Sequence, residues 1–337
     1  MFFTSIVEHT HTLISRASTQ TASDKPTTIV LGLSGGPDSV FLFHVLEHLH
    51  RSASIKLVVA HLDHGWRTTS ANDAIFCIQM CLRHNIPCFV ATPDGTIANN
   101  NGSLEDFGRR LRRAHFKKVA DEGNASFIAL AHHLDDQEET FVMRLMRGST
   151  LAGLSCMREV DGMYLRPLLS IPKKDIARYL DEQKIPYCTD PTNVSDDFLR
   201  NRIRNHVIPA LRLCDQRFDQ KFTTTLSTLA AEDTFLQNLT EQKFNELFTY
   251  DATLKTHCAQ RTELLALDRV LAQRIVLLWL IRQGVAFTPS TSLINEIMRF
   301  LETPNGASHR IAANALLHKQ RGLIWIERQQ QELHTAV

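Results

Sequence analysis

The chain has 337 residues, 43% of them hydrophobic and 22% charged, with a formal net charge of +1. This length is too great for one typical core and predicts two domains of ordinary soluble composition, while a charge near zero excludes inferring nucleic-acid binding from the overall balance. No apolar run approaches the ~20 residues of a membrane span, and the start, Met1-Phe2-Phe3-Thr4, lacks the basic and apolar regions of a signal peptide, so no membrane partner is expected.

In chain order, residues 1–26 predict a short amphipathic helix and a polar linker, Ser18 to Lys25. Thr28 to Leu33 is then a continuous β-rich run, as expected of a strand buried on both faces. It breaks at Ser34-Gly35-Gly36-Pro37, and Val40, Phe41, Phe43, Val45, Leu46 and Leu49 mark a helix. Strands are predicted again at Ile55–Ala60, Pro87–Ala91, Phe127–Ala131 and Tyr164–Leu168, with helices near Asn72–His84, Ser103–Asp121 and Gln137–Arg147 between them. This alternation over residues 27–214 predicts an α/β domain with a doubly wound parallel sheet of about five strands. From 215 to 328 the pattern changes. Long helical stretches at Phe218–Phe248, Leu264–Gln283 and Ser292–Leu301 predict a second, mainly helical domain that binds substrate, ending in short β-like runs at His309–Ala312 and Gly322–Ile326. Residues 329–337 are expected to fray. The seven cysteines are scattered and none forms a CxxC pair, which predicts reduced thiols, a cytoplasmic setting and no structural zinc.

The string Ser34-Gly35-Gly36-Pro37-Asp38-Ser39 lies between a buried strand and a helix. Two glycines let backbone approach a phosphate, and the helix N-terminus favours its charge. The serines can donate hydroxyl hydrogen bonds. Asp38 beside an anion needs a cation between them, which suggests magnesium. The string is neither a Walker P-loop nor a dinucleotide GxGxxG.

Ligands bind at the carboxyl ends of strands in such sheets. Two further strand ends are polar: His61-Leu62-Asp63-His64-Gly65, and His132-His133-Leu134-Asp135-Asp136-Gln137-Glu138-Glu139-Thr140. Helix capping accounts for one aspartate but not for the whole cluster. Magnesium with acid–base chemistry is the favoured reading, and zinc lacks its helical HxxxH or HExxH spacing. Two basic stretches, Arg109–Lys118 and Arg200–His206, are either solvated helix faces or phosphate contacts.

The loop resembles the SGGxDS signature of PP-loop ATP pyrophosphatases, and the wider pattern resembles the tRNA(Ile)-lysidine synthetase family. The motifs that carry the likeness are His61 to Gly65; Glu105, Arg109 and Arg112; His132-His133, Asp136 and Glu139-Thr140; Arg147-Gly148-Ser149; Gly153-Leu154 and Met157; Arg166-Pro167-Leu168-Leu169; Asp190 and Asn193; and Arg200-Asn201-Arg202-Ile203-Arg204. The likeness is dense over residues 27–212 and looser beyond. Arg113 stands where the family has Tyr, and the chain resembles the family's short form.

The resemblance implies ATP and Mg2+ as cofactors, with tRNA(Ile) carrying a CAU anticodon and free lysine as substrates. A homodimer remains open. It implies adenylation of the wobble cytidine, then attack by lysine with release of AMP. Asp38, His133 and Asp136 would be catalytic, with Asp38 and Asp136 holding the metal. Ser34, Gly35, Gly36, Pro37, Asp38, Ser39, His61 and His64 would bind the nucleotide. Arg109, Arg112, Arg113, Arg200, Arg202 and Arg204 would contact RNA. The rivals are a tRNA thiolase, for which Cys77 and Cys81 fall in a predicted helix where burial is expected, and a small-molecule amidating ligase or inactive RNA binder.

Overall fold

The computed structural model describes residues 1–18, 26–65, 70–93, 104–189, 198–288, 290–304 and 307–328. Most of the predicted linker, Asp190, Asn193, the side chain of Glu105 and the tail from 329 lie outside the described residues. The chain forms two compact units, Met1–Ala230 and Ala231–Val337.

The first unit begins with α1 (Phe2–Ser18), β1 (Thr27–Gly32), α2 (Pro37–Arg51), β2 (Ile55–Leu62), α3 (Ser70–Arg83), β3 (Cys88–Ala91), α4 (Leu104–Glu122) and β4 (Phe127–Ala129). It continues with α5 (Leu134–Met146), α6 (Leu151–Leu154), β5 (Val160–Asp161), β6 (Tyr164–Leu165), α7 (Lys173–Glu182), α8 (Leu199–Arg202), a π-helical stretch (Ile203–Val207) and α9 (Ile208–Cys214). The long α10 (Phe218–Leu247) runs from this unit into the next.

The sheet has six strands in the order β3-β2-β1-β4-β6-β5. Pairing is parallel from β3 to β6, and β5 adds an antiparallel edge. The predicted strand Tyr164–Leu168 stops at Leu165, because Pro167 cannot donate to a ladder. Ile29 and Leu31 pack toward α2, while Val30 meets Val58, Ile128 and Phe116 on the opposite face. Burial on both faces explains the unbroken apolar run. The chain winds outward from β1 through β2 to β3, then returns to β4 on the other side of β1. That reversal opens a crevice at the carboxyl ends of β1 and β4, where such sheets bind ligands. Gly32 is required there, since a Cβ would lie 2.4 Å from the Phe116 ring.

The second unit contains the end of α10, then β7 (Thr249–Asp251), β8 (Thr256–Gln260), α11 (Arg261–Leu265), α12 (Arg269–Arg282), α13 (Thr291–Glu302), β9 (Ser308–Ala312), β10 (Ala315–Gln320) and β11 (Leu323–Arg328). This unit is mainly helical, as expected, but it adds a five-stranded antiparallel sheet, ordered β7-β8-β11-β10-β9, where only two short β-like runs were expected. The alternation in β10 is disguised by Lys319, which occupies an inward position beside Ala315 and Leu317. Its ammonium donates to the carbonyls of Phe300 (2.6 Å) and Thr303 (2.5 Å), satisfying the carboxyl end of α13. The predicted helix Leu264–Gln283 is two helices, because Asp268 caps the second by accepting from the Val270 amide at 2.8 Å. Among the described residues, no helix is long and apolar enough to cross a membrane.

Candidate active site

The loop between β1 and α2 is held by its own hydroxyls. Ser39 Oγ accepts from the Ser34 amide (3.2 Å), lies 3.0 Å from Ser34 Oγ and donates to Gly36 O at 3.0 Å. Gly35 has φ +85°, and a Cβ there would crowd the Cys188 and Cys77 sulfurs at 3.2 and 3.4 Å. The Gly35 carbonyl accepts from the Cys188 amide at 2.9 Å. Gly36 is the N-cap of α2, Pro37 opens the helix, and no side chain caps it. The loop therefore presents a helix N-terminus toward the crevice, a favourable seat for phosphate.

Asp38 in the first turn of α2 meets the end of β4. His133 Nε2 lies 3.5 Å from Asp38 Oδ2 and 3.5 Å from Asp136 Oδ2. The His133 side chain is only 4% exposed. Burial opposes its charge, but the hydrogen-bonding geometry with Asp38 and the charges of Asp136, Asp38 and Asp135 prevail and raise its pKa. Burial also opposes ionisation of Asp136, yet His133, Arg200 and His132 lower its pKa. His132 behaves differently: burial pushes it down to about 4, and Arg166, Arg109 and Arg200 oppose its protonation further. The two adjacent histidines are thus shifted in opposite directions. Asp136 also accepts from the His133 amide at 3.0 Å, so capping and site chemistry share one carboxylate.

The second strand end contributes less directly. His61 is buried and its Nδ1 donates to the Leu33 carbonyl at 2.8 Å, leaving Nε2 as the acceptor. Burial lowers its pKa, which keeps it neutral. His64 Nε2 lies 3.1 Å from an Arg112 guanidinium nitrogen. Arg109, Arg112 and Arg113 are exposed on α4, and the Arg113 guanidinium sits 5.8 Å from the Tyr164 ring centre.

The other basic stretch is used inside the molecule. Arg200 bonds Asp136 Oδ1 (2.7 Å) and Glu139 Oε2 (2.6 Å), and Arg204 bonds Glu139 Oε1 at 2.6 Å. Arg202 stays exposed between them. The placement of Arg200 and Arg204 on carboxylates departs from the expectation that they lie on RNA phosphates. Sequence reasoning also passed over Arg212, which bonds Asp135 (2.9 Å), Glu138 (2.8 Å) and Asp219 (2.7 Å). The signal was available in the spacing. Asp135/Glu138 and Asp136/Glu139 are two i,i+3 pairs on one helix, and Arg200, Arg204 and Arg212 recur at multiples of four. Asp135 further accepts from the Lys173 amide at 2.8 Å and stands 3.6 Å from His133 Nδ1.

Glu138 is fully buried, and one guanidinium cannot balance three carboxylates there. Burial therefore raises its pKa to about 8 despite Arg212. Gln137 pins the following loop, exchanging two hydrogen bonds with the Met157 backbone at 2.8 and 2.9 Å. Arg166 is a buried structural residue, bonded to the Arg158 carbonyl at 2.9 Å.

A magnesium ion fits these residues in one respect. Asp38 Oδ1 is buried and has no hydrogen-bond partner, a hard oxygen available to a cation. No group of three or more His, Cys, Asp or Glu side chains among the described residues forms a protein cage. Magnesium usually takes one or two carboxylates plus phosphate oxygens, so the pair Asp38 and Asp136 suits a metal brought with a nucleotide.

The PP-loop domain family matches residues 9–211, and the chain carries that domain. The curated tRNA(Ile)-lysidine synthase of Chlamydia trachomatis serovar D is 31% identical over 89% of this chain and 92% of its own length. The chain belongs to the tRNA(Ile)-lysidine synthase family. The relative from Bacillus subtilis strain 168 is 33% identical over 82% of this chain, and the one from Bacillus licheniformis is 37% identical over 66%. The chain spans only 60% and 48% of those two proteins. Among solved structures, the U34-tRNA thiolase NcsA from Methanococcus maripaludis superposes with a TM-score of 0.54 at 16% identity, over 67% of this chain and 80% of that one, which shows a shared fold.

Proposed function

We propose that this chain is an ATP-dependent ligase that joins free lysine to the 2-position of the wobble cytidine in tRNA(Ile) with a CAU anticodon. The tRNA is first adenylated with release of pyrophosphate, and lysine then displaces AMP. The observation that carries this reading is the meeting of Asp38 and Asp136 at one imidazole, His133, beside the glycine loop. It is supported by membership in a family whose curated members are named for that activity.

The Ser34–Ser39 loop and the N-terminus of α2 would hold the pyrophosphate end of ATP. His61, neutral with an acceptor Nε2, and His64 would line the rest of the nucleotide. Asp38 and Asp136 would hold magnesium, which when bound offsets charge developing on the phosphates. His133, buried between those carboxylates and biased toward its protonated form, can donate to a phosphate oxygen as pyrophosphate departs. Arg200 fixes Asp136, and Arg204 shares Glu139 with it, so these arginines orient the carboxylates. Arg109, Arg112, Arg113 and Arg202 are the exposed cations proposed to meet tRNA phosphates.

A thiolase reading gains nothing from the cysteines expected to serve it. Burial raises the Cys77 thiol pKa, and donation of the Cys81 thiol to Cys88, with burial, raises that of Cys81, so neither favours a thiolate. The test is mass spectrometry of tRNA(Ile) incubated with the protein, ATP and lysine. Lysidine with AMP and pyrophosphate is expected. ADP with phosphate, or sulfide-dependent AMP formation, would overturn the reading.

A further inference from the structure

We propose that the first unit has a second binding site, in the groove between α2, α3 and the turn after α7, that takes a small anion bearing an aromatic ring, of nucleoside-monophosphate size. The groove encloses about 350 Å³, within the range of small-molecule sites. None of the residues proposed for ATP lines it.

Its lining sorts into two chemistries. Phe76, Met80 and Ile185 form an apolar wall. Arg83 and Lys184 contribute two exposed cations, and among the described residues neither forms an ion pair. The imidazoles of His44 and His84 also line the groove, their ring centres 5.7 Å apart. His84 is oriented by Glu47, whose carboxylate lies 3.1 Å from Nδ1. An apolar wall for a ring and a guanidinium with an ammonium for a charged group are the usual elements of such recognition.

The groove also touches the phosphate loop from two sides. The Phe76 ring is 3.6 Å from where a Gly35 Cβ would sit. Beyond Pro186, the Cys188 amide donates to the Gly35 carbonyl at 2.9 Å. An occupant that shifts either wall acts on the loop proposed to hold ATP, so the two sites should be coupled, equally in both directions. The meaning of the coupling rests on the proposed reaction, whose product AMP belongs to this ligand class. The binding itself does not.

The experiment saturates the full chain with a non-hydrolysable ATP analogue and titrates AMP by calorimetry. One further AMP site is expected. Arg83→Glu with Lys184→Glu should weaken it at least tenfold, and the two residues are exposed, so folding should be little affected. Arg83→Gln with Lys184→Gln gives a milder check. Phe76→Ala should weaken AMP but leave inorganic phosphate unchanged. AMP binding only in competition with the analogue, insensitivity to both double variants, or phosphate binding as tightly as AMP would each overturn the site. An analogue affinity unmoved by AMP would overturn the coupling. Loss of lysidine formation with AMP binding intact would refute the proposed reaction and leave this inference standing.

Discussion

On α4, Arg109, Arg110, Arg112 and Arg113 lie exposed, in contact with rings and an imidazole: Phe107 near Arg110, His64 near Arg112 and Tyr164 near Arg113. On the stretch from α8 to α9, Arg200, Arg204 and Arg212 turn instead onto the four carboxylates of α5. In sequence the two stretches look alike. What separates them is the surface each faces. Helix α5 presents Asp135, Asp136, Glu138 and Glu139 in its first two turns, near its own positive end, and arginines opposite that face relieve the remaining charge. The π-helical stretch between α8 and α9 inserts a wider turn between Arg200 and Arg212. A run of cations reads as an RNA surface only where no acidic face lies opposite.

The comparison breaks most readily at Glu139. Its side chain is 1% exposed and paired with both Arg200 and Arg204. Arg200→Gln with Arg204→Gln leaves a buried carboxylate without a cation, a loss of about 3–5 kcal/mol. Urea unfolding measures it, and a change under about 1 kcal/mol would mean the pairs are not structural.

A slightly smaller effect is expected at Asp38, which is paired with His133 rather than with an arginine. Asp38→Asn should reduce pyrophosphate release by about 10² to 10³ while leaving the unfolding midpoint and tRNA affinity nearly unchanged. A normal rate would remove Asp38 from the mechanism.

Glu138 sharpens the comparison through pH. Its pKa rises from the ordinary 4.5 to about 8 in the folded chain. Between those values the folded state holds a proton the unfolded state has released, so this contribution is full below 4.5 and is lost as pH climbs through 8. Glu138→Gln should flatten the decline of stability across that window, measured as Tm against pH. Parallel curves for the two proteins would show that Glu138 keeps its charge.

The smallest thermodynamic effect belongs to α4. Arg109→Gln with Arg112→Gln should change stability by no more than about 0.5 kcal/mol. The salt dependence of tRNA binding should nevertheless flatten, by roughly 0.7 to 0.9 in the log–log slope per lost contact. An unchanged slope would return α4 to a solvated face.

Much of the first unit was determined by sequence alone. Ile29 to Leu31 could only be a strand buried on both faces, the glycine–serine string after it could only be a turn into a helix, and the strand-end position of His133 and Asp136 followed from the alternation of elements. These are local properties: periodicity, turn chemistry and the fixed geometry of a parallel sheet. The antiparallel sheet of the second unit was not legible in the same way. Its strands are short, and Lys319 faces inward because α13 supplies carbonyls to receive its ammonium, a contact made across 16 and 19 residues. Nor could sequence decide which arginines meet carboxylates, since Arg212 reaches Glu138 across 74 residues. Burial, charge pairing and the depth of Glu138 depend on which helix faces pack together, and only the tertiary structure fixes that.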